Sequence, residues 1–481
     1  MQNLKGKAVT GVSWSMIDTI ANSGVTFFIG LVLARILTPV EFGLIGMITV
    51  FIALSNSIID SGFSSALIRK GNATNTDYNT VFYFNFVFGL VLYSLLYLFA
   101  PYIGGFFNEP QLVEITRVLG LVLVINSFGI VQRTILVKAI DFKTQTKVSL
   151  IASISSGIVG VSMALLDYGV WSLVSQQLTR QLLNSVLLWV FNRWSPQVEF
   201  SYKSFKELFG FGSKLMLSGI IDTIYGNLFF IIIGKYYSAN DLGQYTRADQ
   251  FRAIFSVTIS SVVQKVSYPV LCSIQDDDVR LKKTYQRIIK STMMLTFTCM
   301  LGLVAVAKPL VLILIGVKWL ESVYFLQIIC FSGMLYPLHA INLNMLQVKG
   351  RSDLFLRLEI IKKVIGIIPI LLGVFYGIEW MLFSNVFISF VAYLLNSYYS
   401  SNLLNYGICE QLKDIFPTFS LSMLGSIALW SLTLFGFSSG LTLLMQISLG
   451  AGMYFLIFEF FQLSEYLELK EIVLSLYKKN K

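Results

Sequence analysis

Polar and ionisable side chains recur at helical spacing inside four long apolar segments. Steps of three or four residues place the members of each column on one face of a helix. An ionisable group at membrane depth costs about 2.5 to 3.5 kcal/mol to insert, so these faces should line the interior of a bundle, as a wet, partly cationic cavity. The columns are Ser15, Asp18, Asn22 and Thr26 in residues 8–36; Gln176, Arg180 and Asn184 in residues 169–191; Ser218, Asp222 and Tyr225 in residues 208–235; and Asp249, Arg252, Ser256, Ser260 and Gln264 in residues 241–271, flanked by Arg247 and Lys265.

The charged members of these columns each have two interpretations. Asp249 and Arg252 are three residues apart, so they either form a local ion pair or present the arginine to a ligand. Asp18 and Asp222 are compatible both with hydrogen bonding between helices and with coupling to a cation. Arg180 has amides and hydroxyls as neighbours rather than a carboxylate, which favours a functional role.

The composition indicates a protein that folds in a bilayer. The chain has 481 residues, of which 55% are hydrophobic and only 13% charged, and its mean hydropathy is +0.72, whereas soluble domains carry about 25% charged residues. One histidine and four dispersed cysteines leave a zinc site or a catalytic triad without ligands. We therefore expect neither a metal, nor a cofactor, nor a soluble enzyme.

Apolar runs of about 20 residues predict an all-α integral membrane protein with about fourteen transmembrane helices. Two segments about 200 residues apart, ARILTPVEFG at 34–43 and GKYYSANDLG at 234–243, indicate an internal repeat in the same orientation. LDYGVW at 166–171 and FYGIEW at 375–380 form a second, weaker echo. The predicted organisation is a six-helix lobe at 1–192, a cytoplasmic linker at 193–207, a second six-helix lobe at 208–404, two further transmembrane helices at 405–464 and a cytoplasmic tail at 465–481.

The net charge of +10 would suggest nucleic acid in a soluble protein, but here the basic residues lie in short loops between apolar runs. They fall almost entirely into alternate loops and the tail. By the positive-inside rule this asymmetry predicts an even number of helices with both termini in the cytoplasm, and no role in nucleic-acid binding.

Three segments resemble the Wzx-type polysaccharide transporters, which flip O-antigen and exopolysaccharide precursors and belong to the superfamily of multidrug, oligosaccharidyl-lipid and polysaccharide exporters. They are residues 11–47, residues 60–70 (DSGFSSALIRK) and residues 207–252, which include YTRADQF. The resemblance implies two pseudo-symmetric, MATE-like lobes plus two C-terminal helices in the bacterial inner membrane. It also implies that undecaprenyl-pyrophosphate-linked oligosaccharides are flipped by alternating access for surface polysaccharide or lipopolysaccharide biosynthesis.

The polar columns suit such a substrate, since arginine neutralises pyrophosphate by charge-assisted hydrogen bonds and amides and hydroxyls bind sugars. We expect a substrate site at Arg180, Arg252, Arg247, Lys265, Gln176, Asn184, Asn22, Ser256 and Gln264, with ion coupling at Asp18 or Asp222. Membrane lipids and other polysaccharide-assembly proteins are the remaining expected partners. The alternatives are a cation-coupled multidrug exporter of the same fold, and a membrane-embedded polysaccharide polymerase or ligase, which would need larger outside loops.

Overall fold

The computed structural model describes residues 2–467 and 470–471, and these residues form helices joined by short loops. Most of the predicted tail at 465–481 lies outside the described residues. The first ten helices are α1 (Gln2–Ile36), α2 (Pro39–Asp60), α3 (Phe63–Arg69), α4 (Asn75–Phe107), α5 (Leu112–Leu119), α6 (Leu121–Lys138), α7 (Phe142–Leu165), α8 (Val170–Phe191), α9 (Tyr202–Gly226) and α10 (Leu228–Tyr236). The others are α11 (Ala239–Ser273), α12 (Asp278–Leu314), α13 (Leu320–Gly333), α14 (Tyr336–Val348), α15 (Ser352–Ile365), α16 (Ile367–Tyr376), α17 (Ile378–Leu404), α18 (Ile408–Ser431) and α19 (Ser439–Phe461).

Eleven helical segments in the described part of the chain are long and apolar enough to cross a membrane. A twelfth is added when α9 and α10, which are bent by 44° at their junction, count as one span. The chain is therefore a multi-pass membrane protein, as predicted. The count of fourteen is not confirmed, because α8 and the pair α15–α16 are too short or too polar to join this set.

Contacts divide the chain into two compact units, Met1–Thr246 (unit 1) and Arg247–Lys481 (unit 2). In unit 1, α7 packs against both α1 and α8, α4 packs along α6, and α2 packs against α9. In unit 2, α12 packs against α13, α18 and α19. The first turns of α11 belong to unit 1. The division into lobes at residues 193–207 stays a prediction.

The two repeated segments begin helices in the same way. Before α2, the carboxylate of Glu41 accepts hydrogen bonds from the backbone N–H (2.6 Å) and hydroxyl (2.9 Å) of Thr38. Before α11, Asp241 accepts the equivalent bonds from Ser238, at 3.1 and 2.7 Å. Both are capping boxes, which satisfy backbone donors that a helix start leaves unpaired. The repeat thus encodes a shared local structure.

The repeated glycines bring α2 and α11 into backbone contact within unit 1. A Cβ atom on Gly43 would lie 1.8 Å from the carbonyl oxygen of Ala239, and one on Gly243 would lie 1.8 Å from that of Pro39. The two contacts are reciprocal, since each glycine meets the first turn of the other helix. Small residues permit such close crossings in membranes, so any side chain at either position would force the helices apart.

Residues 193–201, here called the strap, join α8 to α9 and are held along their length by α4 and α6. Trp194 packs edge-on against Tyr78 and Phe82, with ring centroids 6.2 and 6.0 Å apart. The hydrogen bonds run from Gln132 Nε2 to the Trp194 carbonyl (3.0 Å), from Gln197 N–H to Asn79 (3.1 Å), from the Thr76 hydroxyl to Glu199 (2.9 Å) and from Ser201 N–H to the Thr80 hydroxyl (3.1 Å). The strap is therefore a docked segment of unit 1.

Lys70 adds an ionic link beside the strap. Its ammonium lies 3.1 Å from Asp77 at the start of α4 and 3.0 Å from Glu207 on α9. Burial disfavours the charge of Lys70, but the hydrogen bonds to Glu207 and Asp77 outweigh it and raise the pKa of the ammonium above its usual value. The lysine thus stays charged and ties α4 to α9.

Unit 2 anchors α18 by polar contacts to α12. Lys282 and Lys290 on α12 lie 3.2 Å from Glu410 and 3.0 Å from Asp414, both on α18. His339 on α14 contacts the hydroxyl of Ser389 at 3.1 Å. These contacts fix how the helices of unit 2 pack against one another.

Candidate functional site

The column predicted on α1 is tied to α7 by a closed set of hydrogen bonds. The Asn22 amide donates to Asp18 (2.7 Å) and to the Ser149 hydroxyl (2.7 Å), and Ser149 donates to Asp18 (2.7 Å). Ser153, one turn further along α7, donates to the Asn22 carbonyl oxygen (3.0 Å). The structure therefore brings Asp18 and Asn22 together. It gives both of them interhelical hydrogen bonds, with two α7 serines that the sequence analysis did not select.

The three residues of the column on α8 have different surroundings. Gln176 packs closely on α7, since a Cβ atom added to Gly160 of α7 would lie 2.9 Å from the Cβ of Gln176. Arg180 is half-buried, and within the described residues it forms no ion pair or hydrogen bond. Asn184, one turn beyond, lines a cavity. This face of α8 thus carries a guanidinium that no carboxylate of the described residues pairs with, and one turn further on it lines a polar space.

That space, the polar cavity, has a volume of about 320 Å³ and lies wholly within unit 1, between the end of α2, α3, α6 and α8. Its volume is at the lower end of the range of small-molecule sites. The polar groups that line it include Asp60, Ser64, Asn126, Arg133, Gln181 and Asn184. Of these, the sequence analysis selected only Asn184.

A ladder of amides supports one wall of the polar cavity. Gln181 donates to the side-chain oxygen of Asn126 at 2.7 Å, and Asn126 donates to Asn56 at 2.8 Å. On another wall the Ser64 hydroxyl bonds Asp60 at 2.5 Å. Arg133 has no hydrogen bond or ion pair within the described residues. The walls are therefore fixed, while a guanidinium remains available to a ligand.

The signal for these residues was present in the sequence. Asn126 and Arg133 on α6 are seven residues apart, two turns of a helix, and Gln181 and Asn184 on α8 are three apart. Each helix alone shows only a short polar column. The cavity forms because α6, α8 and the end of α2 pack around one space, and this tertiary packing cannot be derived from either helix alone.

Unit 1 also has an apolar groove of about 610 Å³ between α2, α4, α9 and α10. Its walls are aliphatic and aromatic, with Phe51, Leu95, Phe99 and Tyr102 among them. Phe99 and Tyr102 are largely exposed. The groove suits a hydrocarbon chain, and the sequence analysis did not identify it.

The column on α11 lies in unit 2 and is held by its own helix. Arg252 forms a two-pronged ion pair with Asp249, with nitrogen–oxygen distances of 2.9 and 2.6 Å, and contacts the Ser256 hydroxyl at 3.3 Å. Ser260 donates to the Ser256 carbonyl at 2.7 Å. Gln264 is exposed. The structure thus places Arg252 and Ser256 together, and a carboxylate already contacts the arginine.

Three further predicted residues, Arg247, Lys265 and Asp222, do not join the clusters described above. Arg247 is 4% exposed; its guanidinium lies 5.6 Å from the ring centre of the fully buried Trp319 and bonds Gln250. Lys265 is half-buried on α11, and Asp222 is exposed near the end of α9. No group of three or more His, Cys, Asp or Glu side chains in the described part of the chain is placed to hold a metal ion.

Comparisons with known proteins agree with this architecture. The sequence model of a family described as polysaccharide biosynthesis protein matches residues 32–324. The lipopolysaccharide biosynthesis protein WzxC of Escherichia coli (strain K12) is 26% identical over 377 residues, covering 77% of this chain and 76% of WzxC.

Two solved structures share the fold. The lipid II flippase MurJ in an inward closed conformation has a TM-score of 0.75 at 15% identity, covering 94% of this chain and 98% of MurJ. An inward-facing MATE family multidrug resistance transporter has a TM-score of 0.64 at 17% identity, covering 83% and 98% of the two chains. The predicted all-α, MATE-like fold is confirmed.

Proposed function

Because this chain belongs to the family of polysaccharide biosynthesis proteins, we propose that it is a flippase that carries lipid-linked oligosaccharides across the membrane. The resemblance of this chain to Wzx-type transporters, which residues 11–47, 60–70 and 207–252 indicated, is confirmed by the family match and by WzxC. The transport step itself needs no covalent chemistry. The proposal therefore includes no enzymatic activity.

One observation carries the proposal: unit 1 contains both a polar cavity lined with amides, hydroxyls and a guanidinium, and an apolar groove built of aromatic and aliphatic side chains. A lipid-linked oligosaccharide has the same two parts. Its sugars need hydrogen-bonding partners in place of water, while its hydrocarbon tail needs an apolar surface. A polar solute would have no use for the groove.

We assign the phosphate of the substrate to arginine. Arg180 is half-buried on a helix that the sequence analysis predicts to span the membrane, and no carboxylate among the described residues offsets its charge. A pyrophosphate that crosses the hydrocarbon region needs such a cation. Undecaprenyl pyrophosphate is the carrier that we propose, and Arg252 of unit 2 is a separate candidate for contact with its phosphate. We further propose that both termini lie in the cytoplasm, that the protein resides in the inner membrane and that it works by alternating access.

The rival functions fit the observations less well. A multidrug exporter of the same fold would use the apolar groove, but it would leave the amides of the polar cavity without a role. A polymerase or ligase would need a nucleophile paired with a base. One ring nitrogen of His339 contacts the hydroxyl of Ser389, and the other is hydrogen-bonded to the side-chain amide of Asn396 (3.1 Å), among the packed helices of unit 2. That arrangement supports packing.

The experiment compares Arg180 variants in the native host, in a strain that lacks the chromosomal gene. Arg180→Ala removes a charge-assisted contact worth roughly 1.5 to 3 kcal/mol, so substrate affinity should fall about ten- to a hundredfold. Surface glycan should fall, and lipid-linked oligosaccharide should accumulate in the membrane. Arg180→Lys should recover export only in part, because it keeps the charge and loses the planar fork.

Arg280→Ala is the matched control, since Arg280 is an exposed arginine in the first turn of α12. It should export at the parental rate, with all variants present at equal membrane levels. If deletion of the gene leaves both surface glycan and lipid-linked oligosaccharide unchanged, the flippase assignment is wrong. If deletion of the gene abolishes export but Arg180→Ala exports at the parental rate, the phosphate contact at Arg180 is wrong.

A further inference from the structure

We propose that the polar cavity of unit 1 is a glycan subsite, in which Arg133 and Asn184 bind the hydroxyls of one sugar residue of the transported oligosaccharide. This proposal rests on the flippase function and assigns a place and a ligand class to its polar end. It separates the sugar contacts from the phosphate contact at Arg180.

The chemistry of the walls favours a sugar over an ion. The groups that line this one space include three amides, a hydroxyl, a carboxylate and a guanidinium, at Asn126, Gln181, Asn184, Ser64, Asp60 and Arg133. They offer both hydrogen-bond donors and acceptors, as a ring that bears several hydroxyls requires. The opposite charges of Asp60 and Arg133 leave little net attraction for a free anion or cation. A volume of about 320 Å³ limits the occupant to a small ligand or one part of a larger one.

Two side chains in the polar cavity have hydrogen-bonding capacity that the described residues do not use. Neither Arg133 nor Asn184 forms a hydrogen bond or ion pair there, although both line the cavity. Their neighbours are different: Gln181 is held by Asn126, and Asp60 is held by Ser64. The held residues shape the walls, and the two unused groups are the ones positioned to bind a ligand.

This difference makes the test clean, because replacing Arg133 or Asn184 removes no hydrogen bond of the described structure. The experiment uses the full-length chain in nanodiscs. The probe is the host's own repeat-unit oligosaccharide, released from its lipid and titrated by calorimetry. Asn184→Ala should weaken binding about 3- to 10-fold, as expected for one neutral hydrogen bond, and Arg133→Gln by about 10-fold or more, since its hydrogen bonds are charge-assisted.

Two controls define what the loss means. Ser94→Ala changes an exposed hydroxyl that bonds only its own helix, at the Leu90 carbonyl, and should bind the oligosaccharide like the parent. Undecaprenyl phosphate without sugar should bind Arg133→Gln and Asn184→Ala like the parent, because the subsite contacts sugar alone.

Parental oligosaccharide affinity in both cavity variants would overturn the proposal, and so would an equal loss of affinity for the sugar-free lipid. A parent chain that fails to bind the oligosaccharide, in a host where gene deletion still abolishes surface glycan, refutes the subsite and leaves the flippase function intact. Conversely, suppose that the cavity variants weaken oligosaccharide binding in a host where gene deletion leaves both surface glycan and lipid-linked oligosaccharide unchanged. That result refutes the flippase function and supports an oligosaccharide site in the cavity.

Discussion

The reciprocal glycine contact between α2 and α11 yields a quantitative prediction. A Cβ atom on Gly43 would lie 1.8 Å from the Ala239 carbonyl oxygen, whereas real Cβ contacts essentially never fall below 3.0 Å. Gly43→Ala must therefore separate the two backbones by about 1.2 Å at least. Overpacking costs typically 1 to 3 kcal/mol, and here the upper end applies because the obstructing atom belongs to the backbone and has no rotamer to change.

Three alanine variants form a graded series in thermal unfolding of the purified protein. Gly43→Ala should melt lowest. Gly46→Ala should melt only slightly below the parent, because its Cβ would meet the flexible Leu242 side chain at 3.3 Å. Gly302→Ala, in α12, should melt at or above the parent, since its Cβ would meet no atom within 4 Å beyond the adjoining backbone of its own helix and alanine is favoured over glycine inside a helix by about 0.5 to 1 kcal/mol.

The reciprocity of the contact adds a stricter test. Gly243→Ala should destabilise the protein as much as Gly43→Ala does, because its Cβ would lie equally close to the Pro39 carbonyl. The double variant should cost clearly less than the sum of the two, since a single separation of the helices relieves both clashes. Parental melting of Gly43→Ala, or strict additivity in the double variant, would refute the reasoning.

Two further predictions follow from individual contacts, and a third from the charge asymmetry of the loops. Arg252→Ala leaves the carboxylate of Asp249 without its ion-pair partner. If the pair is only structural, adding Asp249→Asn should restore export, measured as surface glycan. If Arg252 binds phosphate, as proposed, export should stay low in the double variant. Asn22→Ala removes its hydrogen bonds to α7 and should lower thermal stability by about 1 to 3 kcal/mol, with unchanged melting as the contrary result. In a cysteine-free background, an impermeant thiol reagent should label Gln111→Cys in intact cells and leave Asn72→Cys unlabelled; the reverse pattern would invert the topology.

The sequence predicted the elements of the fold better than the site. Apolar runs located α4 and α7 because the need to bury backbone polar groups in lipid leaves helices as the spanning form. The paired Thr38 and Ser238 indicated the repeat, since capping chemistry is local. The predicted count of fourteen spans is not confirmed, because Arg180 and its polar neighbours lower the mean hydropathy of α8.

Site residues were predicted only where one helix carried a long polar column. Asn184 was selected because it follows Gln176 and Arg180 on one face, and its role in binding stays a prediction. Arg133 was not selected because its face of α6 shows polar groups only at two-turn intervals, and its place in the proposed subsite depends on α8 across the cavity. Ser149 was missed for a related reason: a serine in an apolar helix gives no sign of which neighbour it bonds.

The docked strap has a consequence for how the protein is made. Its partners on α4 and α6 precede it in the chain, so every hydrogen bond described for it joins residues synthesised no later than Ser201. As the chain leaves the ribosome from its N-terminus, all partners of the strap are present before the residues from Arg247 onwards are synthesised. Docking of the strap therefore requires no residue of unit 2.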